Sequence, residues 1–305
     1  MTSNLILHHF DPSPFAEKIR LVMGLKDLAW HSVEIPMIMP KPDLTALTGG
    51  YRKTPVLQIG AEIYCDTRRI ARELERRQPT PGLFADGNPG MGPALACWSD
   101  TAFFEPGAGL SMGVNEEIPE PVLRDREQFF NFMDFGTLPQ EIPHLYGQLL
   151  AQATLVDDQL ADGRRYLFGD NPGWGDICAY FVIWMCRNNV PVAAGYFESL
   201  ANLNAWANRM AAIGHGRRAE LPAAEALAIA RETRAEPGTG VAAYEPQALE
   251  AGMIVTVTPD DYGKVPVSGR LISLDRRGIS INRDDDRAGN VNVHFPRAGY
   301  RVQPA

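Results

Sequence analysis

The sequence predicts three successive units: an α/β domain, an all-helical domain and a small all-β unit. Three observations carry this. Short apolar runs alternate with amphipathic helical patterns over about the first eighty residues, and helical periodicity then persists to about residue 230. β-rich runs punctuated by Gly, Asp and Pro fill the rest. A chain of 305 residues, 45% hydrophobic and 22% charged, is long enough for two or three domains with cores of their own.

"NLILHHF" is an apolar run suited to a buried strand. From Pro14, Phe15, Ile19 and Val22 fall on one helical face, which leaves Glu17, Lys18 and Arg20 to a polar face. "AWHSVEIP" is a second strand ended by Pro36, and "PDLTALTGG" is a brief helix stopped at Gly49 and Gly50. "PVLQIG" and "AEIYC" form a hairpin around Gly60, and "DTRRIARELERR" is the closing helix. This β-α-β-α-β-β-α order is that of a thioredoxin-like domain, expected over residues 1–79. A Pro- and Gly-rich linker, "QPTPGLFADGNPG", leads to an all-helical domain over 86–232, whose central helix is "DICAYFVIWMCRN". "MIVTVTP", "VPVSGRLISL", "RGISINR" and "NVNVHFP" then predict a small antiparallel sheet or barrel over 240–305.

The formal charge of −8 gives no general attraction to phosphate backbones or anionic lipid, and no basic run offsets it. From Gly240 onward, eight basic residues balance eight acidic ones, so a nucleic-acid module is not expected there. The start lacks the pattern of a signal peptide and no long uncharged apolar segment follows, so a cytoplasmic protein without membrane contact is expected. Cys65, Cys97, Cys178 and Cys186 are too scattered for a zinc or dithiol motif and read as reduced thiols, most of them buried. "INRDDDRAG" has alternating acceptors but Arg287 where a calcium loop needs glycine, and reads as a charged hairpin tip; no metal site is expected. His8 and His9 adjoin on one strand and face opposite sides, so they form no chelating pair.

Two helix starts and one proline stand out. Ser13 before Pro14 is an N-cap with proline at the first helical position. The same electropositive helix start that a serine caps also stabilises an anion such as a thiolate, so the dipeptide alone leaves both roles open. Thr54-Pro55 begins the third strand, and Asp66-Thr67 lies where the hairpin gives way to a helix, again a capping position.

In order along the chain, "SPFAEKIRL", "RKTPVL", "YCDT" and "NPGWGDI" make residues Met1 to Ala230 resemble the cytosolic glutathione transferase family. The resemblance implies that the Ser13 hydroxyl hydrogen-bonds the sulfur of glutathione, the cosubstrate, and favours its thiolate for attack on a small electrophile. It implies a cis Thr54-Pro55 bond that turns the Thr54 backbone toward the cysteinyl unit. Asp66 would meet the γ-glutamyl ammonium, Thr67 its carboxylate, and Lys53, with Arg52 beside it, the glycyl carboxylate. Two departures are visible: Asp-Thr stands where the family has Glu-Ser, which shortens the acidic reach, and Gly173 replaces the hydroxyl cap of "NPGWGDI" while Asp176 is retained. Trp98, Phe103, Phe104 and Met112, soon after the linker, are candidates for the second-substrate pocket. A homodimer is implied by the resemblance alone. The competing readings are a glutathione-dependent thiol reductase, against which Ser13 stands where such relatives carry cysteine, and a non-catalytic ligand- or protein-binding module on the same scaffold.

Overall fold

The computed structural model describes residues 4–84, 89–115 and 118–305, so the predicted domain start at 86 lies outside the described residues. In chain order the elements are β1 (Ile6–His9), α1 (Pro14–Leu25), β2 (Ala29–Glu34), α2 (Pro42–Thr48), β3 (Val56–Ile59), β4 (Glu62–Cys65) and α3 (Thr67–Arg77). Then come α4 (Met91–Trp98), α5 (Phe104–Gly113), α6 (Glu120–Phe129), α7 (Leu138–Gln159), α8 (Trp174–Asn189) and α9 (Ala201–Ala211). β5 (Arg217–Glu220), α10 (Ala223–Glu232), β6 (Gly240–Val241), β7 (Ile254–Pro259), β8 (Val267–Leu274), β9 (Gly278–Asp285), β10 (Gly289–Pro296) and β11 (Tyr300–Pro304) complete it. The chain has a thioredoxin-like N-terminal domain, a helical domain and a C-terminal β region. Its residues form two compact units, one of Met1–Asp11, Leu28–Glu73 and Arg217–Ala305, the other of Pro12–Asp27 and Leu74–Gly216.

In the first unit the described strands form one sheet in the order β11-β7-β8-β9-β10-β4-β3-β1-β2-β5, with β6 on β8. The β4-β3-β1-β2 core has the expected senses: β1 is parallel to β2 and antiparallel to β3, and β3 is antiparallel to β4 through the turn at Gly60, where φ is +63°. The C-terminal strands do not close on themselves as a barrel. They run antiparallel from β11 to β10, and β10 then pairs in parallel with β4, His294 opposite Tyr64, so the late strands extend the early sheet. One core results, in which Ile6, Val56 and Ile63 are buried with Val255, Ile281, Val293 and Val302. The predicted hairpin tip is the β9–β10 turn, with Gly289 paired to Asp285. Three strands lie outside the sequence reading, the two-residue β6, which pairs in parallel with β8, among them. β11 was hidden in a polar terminus, and β5 falls inside the region expected to be helical, where it pairs in parallel with β2. Arg218 of β5 lies over the Trp30 ring at 5.7 Å and bonds Asp11 at 2.7 Å, contacts that no periodicity announces.

In the second unit α8 is the buried centre, and Asp176 fixes its start. One oxygen accepts the Gly173 N–H at 3.1 Å, and the other accepts the Leu167 N–H at 2.8 Å and the Trp206 indole N–H at 2.9 Å. The polar face expected on α1 is not exposed: Glu17, Lys18 and Arg20 are all buried. Each charge is matched instead. Glu17 accepts from Arg20 Nε at 2.9 Å and lies 3.0 Å from His215 Nε2, while Lys18 pairs with Asp100 and lies 4.1 Å from the centroid of the Phe181 ring.

Candidate functional site

Ser13 belongs to the second unit. It caps α1 with extended backbone angles, and its Oγ accepts the Ala16 N–H at 3.2 Å, so the capping expectation holds. A hydroxyl has one proton and two lone pairs, and the cap uses only a lone pair. Among the described residues the Ser13 proton has no acceptor, which leaves it able to donate to an incoming sulfur while the cap stays intact. Burial pushes the Cys65 thiol well above its usual range and raises that of Cys186 to about 12, so neither is poised as a thiolate.

The remaining predicted thiol-ligand residues belong to the first unit. The Thr54-Pro55 bond is cis, as expected. Lys41, the buried residue ahead of α2, donates from Nζ to Thr54 Oγ1 at 3.2 Å and lies 5.6 Å from the Phe10 ring. It was missed because Lys-Pro before a short helix reads as punctuation; a buried lysine beside the cis-proline step is the signal only the structure supplies. Lys53 is ion-paired with Asp261, and its Nζ sits 4.3 Å from the centroid of the Tyr262 ring, both in the β7–β8 loop.

Asp66 and Thr67 begin α3 as expected of a cap, with Thr67 buried. Asp66 has φ +74°, a region few non-glycine residues enter, and its carbonyl accepts the Arg69 and Ile70 N–H groups at 3.0 Å. Its carboxylate accepts the Arg68 N–H at 2.9 Å, Arg68 Nε at 3.0 Å and Nη2 at 2.7 Å, and the Tyr300 hydroxyl at 3.1 Å. Burial alone would raise this carboxyl, but the Arg68 guanidinium and its hydrogen bonds, with Lys53 in support, hold it at about 2. Tyr51 and Tyr300, joined at 2.9 Å, are driven the other way by burial and by the Asp66 charge, so both stay protonated.

The aromatic candidates of the second unit form a packed wall. Phe103 is fully buried and stacks on Trp98 at 5.0 Å; Phe104 is buried among Phe15 at 5.0 Å, Phe181 at 5.9 Å and Phe132 at 6.2 Å; Met112 is half-buried. Within this unit lies a cavity of about 500 Å³ whose lining includes Glu105, Phe132, Glu141, His144 and Gln152. None of the four candidates lines it, although the Trp98 indole fixes Gln152 by a 2.7 Å hydrogen bond. Burial raises the Glu105 carboxyl there.

Residues 7–82 match the family model of the glutathione S-transferase N-terminal domain, and residues 139–209 that of the C-terminal domain. A crystal structure of a GST-like protein from Pseudomonas syringae aligns over 100% of both chains with 36% identity and a TM-score of 0.81, so the C-terminal β region is shared as well. The chain belongs to the glutathione transferase family. Glutathione transferase F2 from Populus trichocarpa is 15% identical (68% of this chain, 93% of that one, TM-score 0.53), and a β-etherase from Sphingobium is 14% identical (68% and 95%, TM-score 0.54). At such identity these two bear on the fold alone. No curated protein matches the chain. Among the described residues, no helix is long and apolar enough to cross a membrane.

Proposed function

We propose that this protein binds glutathione and activates its thiol for attack on a small electrophile, with Ser13 as the group that donates to the sulfur. The observation that carries this reading is the Ser13 cap, whose hydroxyl serves its helix through a lone pair and keeps its proton for another acceptor. The N-terminus of α1 adds partial positive charge, which favours the thiolate over the thiol. In the same proposal the backbone of Thr54, beside cis Pro55, holds the cysteinyl unit. Thr67, at the start of α3, takes the γ-glutamyl carboxylate. Lys41 joins Lys53 as a cation for the glycyl end. In the second unit the electrophile is met at the cavity lined by Phe132, which Phe104 backs from the packed aromatic wall at 6.2 Å. The resemblance further supports a cytoplasmic homodimer.

A non-catalytic binding role is the second reading, favoured by the engagement of Asp66 and Lys53 by residues of the C-terminal sheet. Reduction is disfavoured by serine at position 13 and by the buried, high-pKa thiol of Cys65.

Calorimetry with glutathione, followed by a panel of halide, epoxide and disulfide substrates, separates these. Conjugation that falls at least tenfold in Ser13→Ala while glutathione still binds supports the proposal. Full activity of that variant overturns the role of Ser13, and binding without turnover of any substrate favours the second reading.

A further inference from the structure

An ionised carboxylate offers about four acceptor positions on its two oxygens. Asp66 uses all of them on its own protein. Oδ1 accepts the backbone N–H and the Nε–H of Arg68, and Oδ2 accepts Arg68 Nη2 and the Tyr300 hydroxyl. Tyr300 has a single hydroxyl proton and gives it to the carboxylate, so at the 2.9 Å contact Tyr51 must be the donor and Tyr300 the acceptor. The result is a directed chain, Tyr51 to Tyr300 to Asp66. Its middle member is held firmly. Tyr300 is buried, its ring lies 5.6 Å from that of Phe295, and its backbone is paired with Pro259 of β7. The Asp66–Arg68 pair is also electrically neutral as a unit, so little attraction remains for a cation approaching from the ligand side.

We infer that Tyr300, contributed by the C-terminal sheet, is a specificity-determining residue that fills the last acceptor of Asp66 and so makes the thiol-ligand site indifferent to an ammonium group on the ligand. The inference rests on the glutathione reading above and narrows it. The ligand class is a cysteinyl thiol with a carboxylate-bearing acyl arm, in which the α-amine is dispensable. Asp66 is then a positioning residue: it fixes the Arg68 side chain and the first turn of α3 rather than touching the ligand.

The test compares glutathione with its desamino analogue, glutaryl-cysteinylglycine, by calorimetry on the full chain. The wild-type protein is expected to bind both with Kd values within threefold of each other. Tyr300→Phe keeps the ring and releases one Asp66 acceptor, so the ratio is expected to move at least fivefold in favour of glutathione, with the analogue's Kd unchanged. A merely structural loss would weaken both ligands alike. A wild-type preference for glutathione above threefold overturns the inference, as does a Tyr300→Phe ratio equal to the wild-type one. The wild-type ratio alone decides the matter if the variant does not fold. If the wild-type protein binds neither ligand, the glutathione reading falls and takes this inference with it; if it binds both, only the inference is at stake.

Discussion

Replacing Glu62 with alanine tests what joins the C-terminal strands to the early sheet. Glu62 is a buried residue of β4, and both its oxygens are committed across the junction. They accept Asn292 Nδ2 at 3.0 and 3.1 Å, the Glu236 N–H at 2.8 Å, and face His294 Nε2 at 2.7 Å, whose other ring nitrogen lies 2.8 Å from Ser280 Oγ. Glu62→Ala leaves the buried His294 ring without its partner and takes an acceptor from the Glu236 N–H, whose residue is exposed, and from Asn292 Nδ2, which still donates to the Glu236 carbonyl at 2.8 Å. At about 1–3 kcal/mol for the orphaned histidine group and less for the two donors that keep an acceptor or reach water, the expected loss is about 2–4 kcal/mol. For a unit of this size that lowers Tm by about 10 °C. Glu62→Gln keeps the shape and one oxygen and should cost about 2 kcal/mol. Thermal melts and amide exchange of β4 and β10 measure both. Burial pushes the Glu62 carboxyl up, but His294, the Glu236 N–H and Asn292 together bring it below its ordinary 4.5. The stability it supplies is therefore complete above about pH 4.5 and is lost as pH falls through the lower folded value. A Glu62→Ala protein destabilised by less than about 1 kcal/mol, with exchange at β10 unchanged, would refute the reasoning.

Three further outcomes are expected. Asp66, held at about 2 against an ordinary 3.8, contributes on the order of 2 kcal/mol that disappears as pH falls from about 4 to 2, and acid titration of Asp66→Asn should lack that step. At Gly24 an added Cβ would lie 2.0 Å from the Gly214 carbonyl oxygen, a backbone atom that cannot swing aside. Gly24→Ala should therefore cost more than about 2 kcal/mol in a denaturant melt, despite the higher helix propensity of alanine. Of the four cysteines, Cys97 is exposed and the others buried, so a thiol reagent should titrate one group in the native protein and four after unfolding.

The thioredoxin-like order was legible because its strands and helices are short, regularly spaced and separated by proline and glycine; Pro36, Gly49 and Gly60 do in the structure what local chemistry demands. Ser13 and Asp66 were legible for the same reason, since a cap is a local event. What escaped was decided at long range. Lys18 looks like a surface residue until Asp100 and Phe181 surround it. Asp261, Tyr262 and Tyr300 lie some two hundred residues from the side chains they engage, so no window on the sequence contains both partners. β5 is four residues of Arg, Arg, Ala and Glu with no hydrophobic alternation, held by pairing with β2.

The β4-β3-β1-β2 core is flanked on one side by β5 and on the other by β10, both supplied by chain that follows the helical domain. During synthesis the early strands emerge well before either neighbour exists; Glu62 waits 230 residues for Asn292. Until β5 is made both borders of the nascent sheet present unpaired N–H and C=O groups, and the β4 border does so until β10 follows, a template on which another chain can add. A ribosome stalled before residue 289 would release a polypeptide whose β4 border has no cover, and its fate would be association rather than repair.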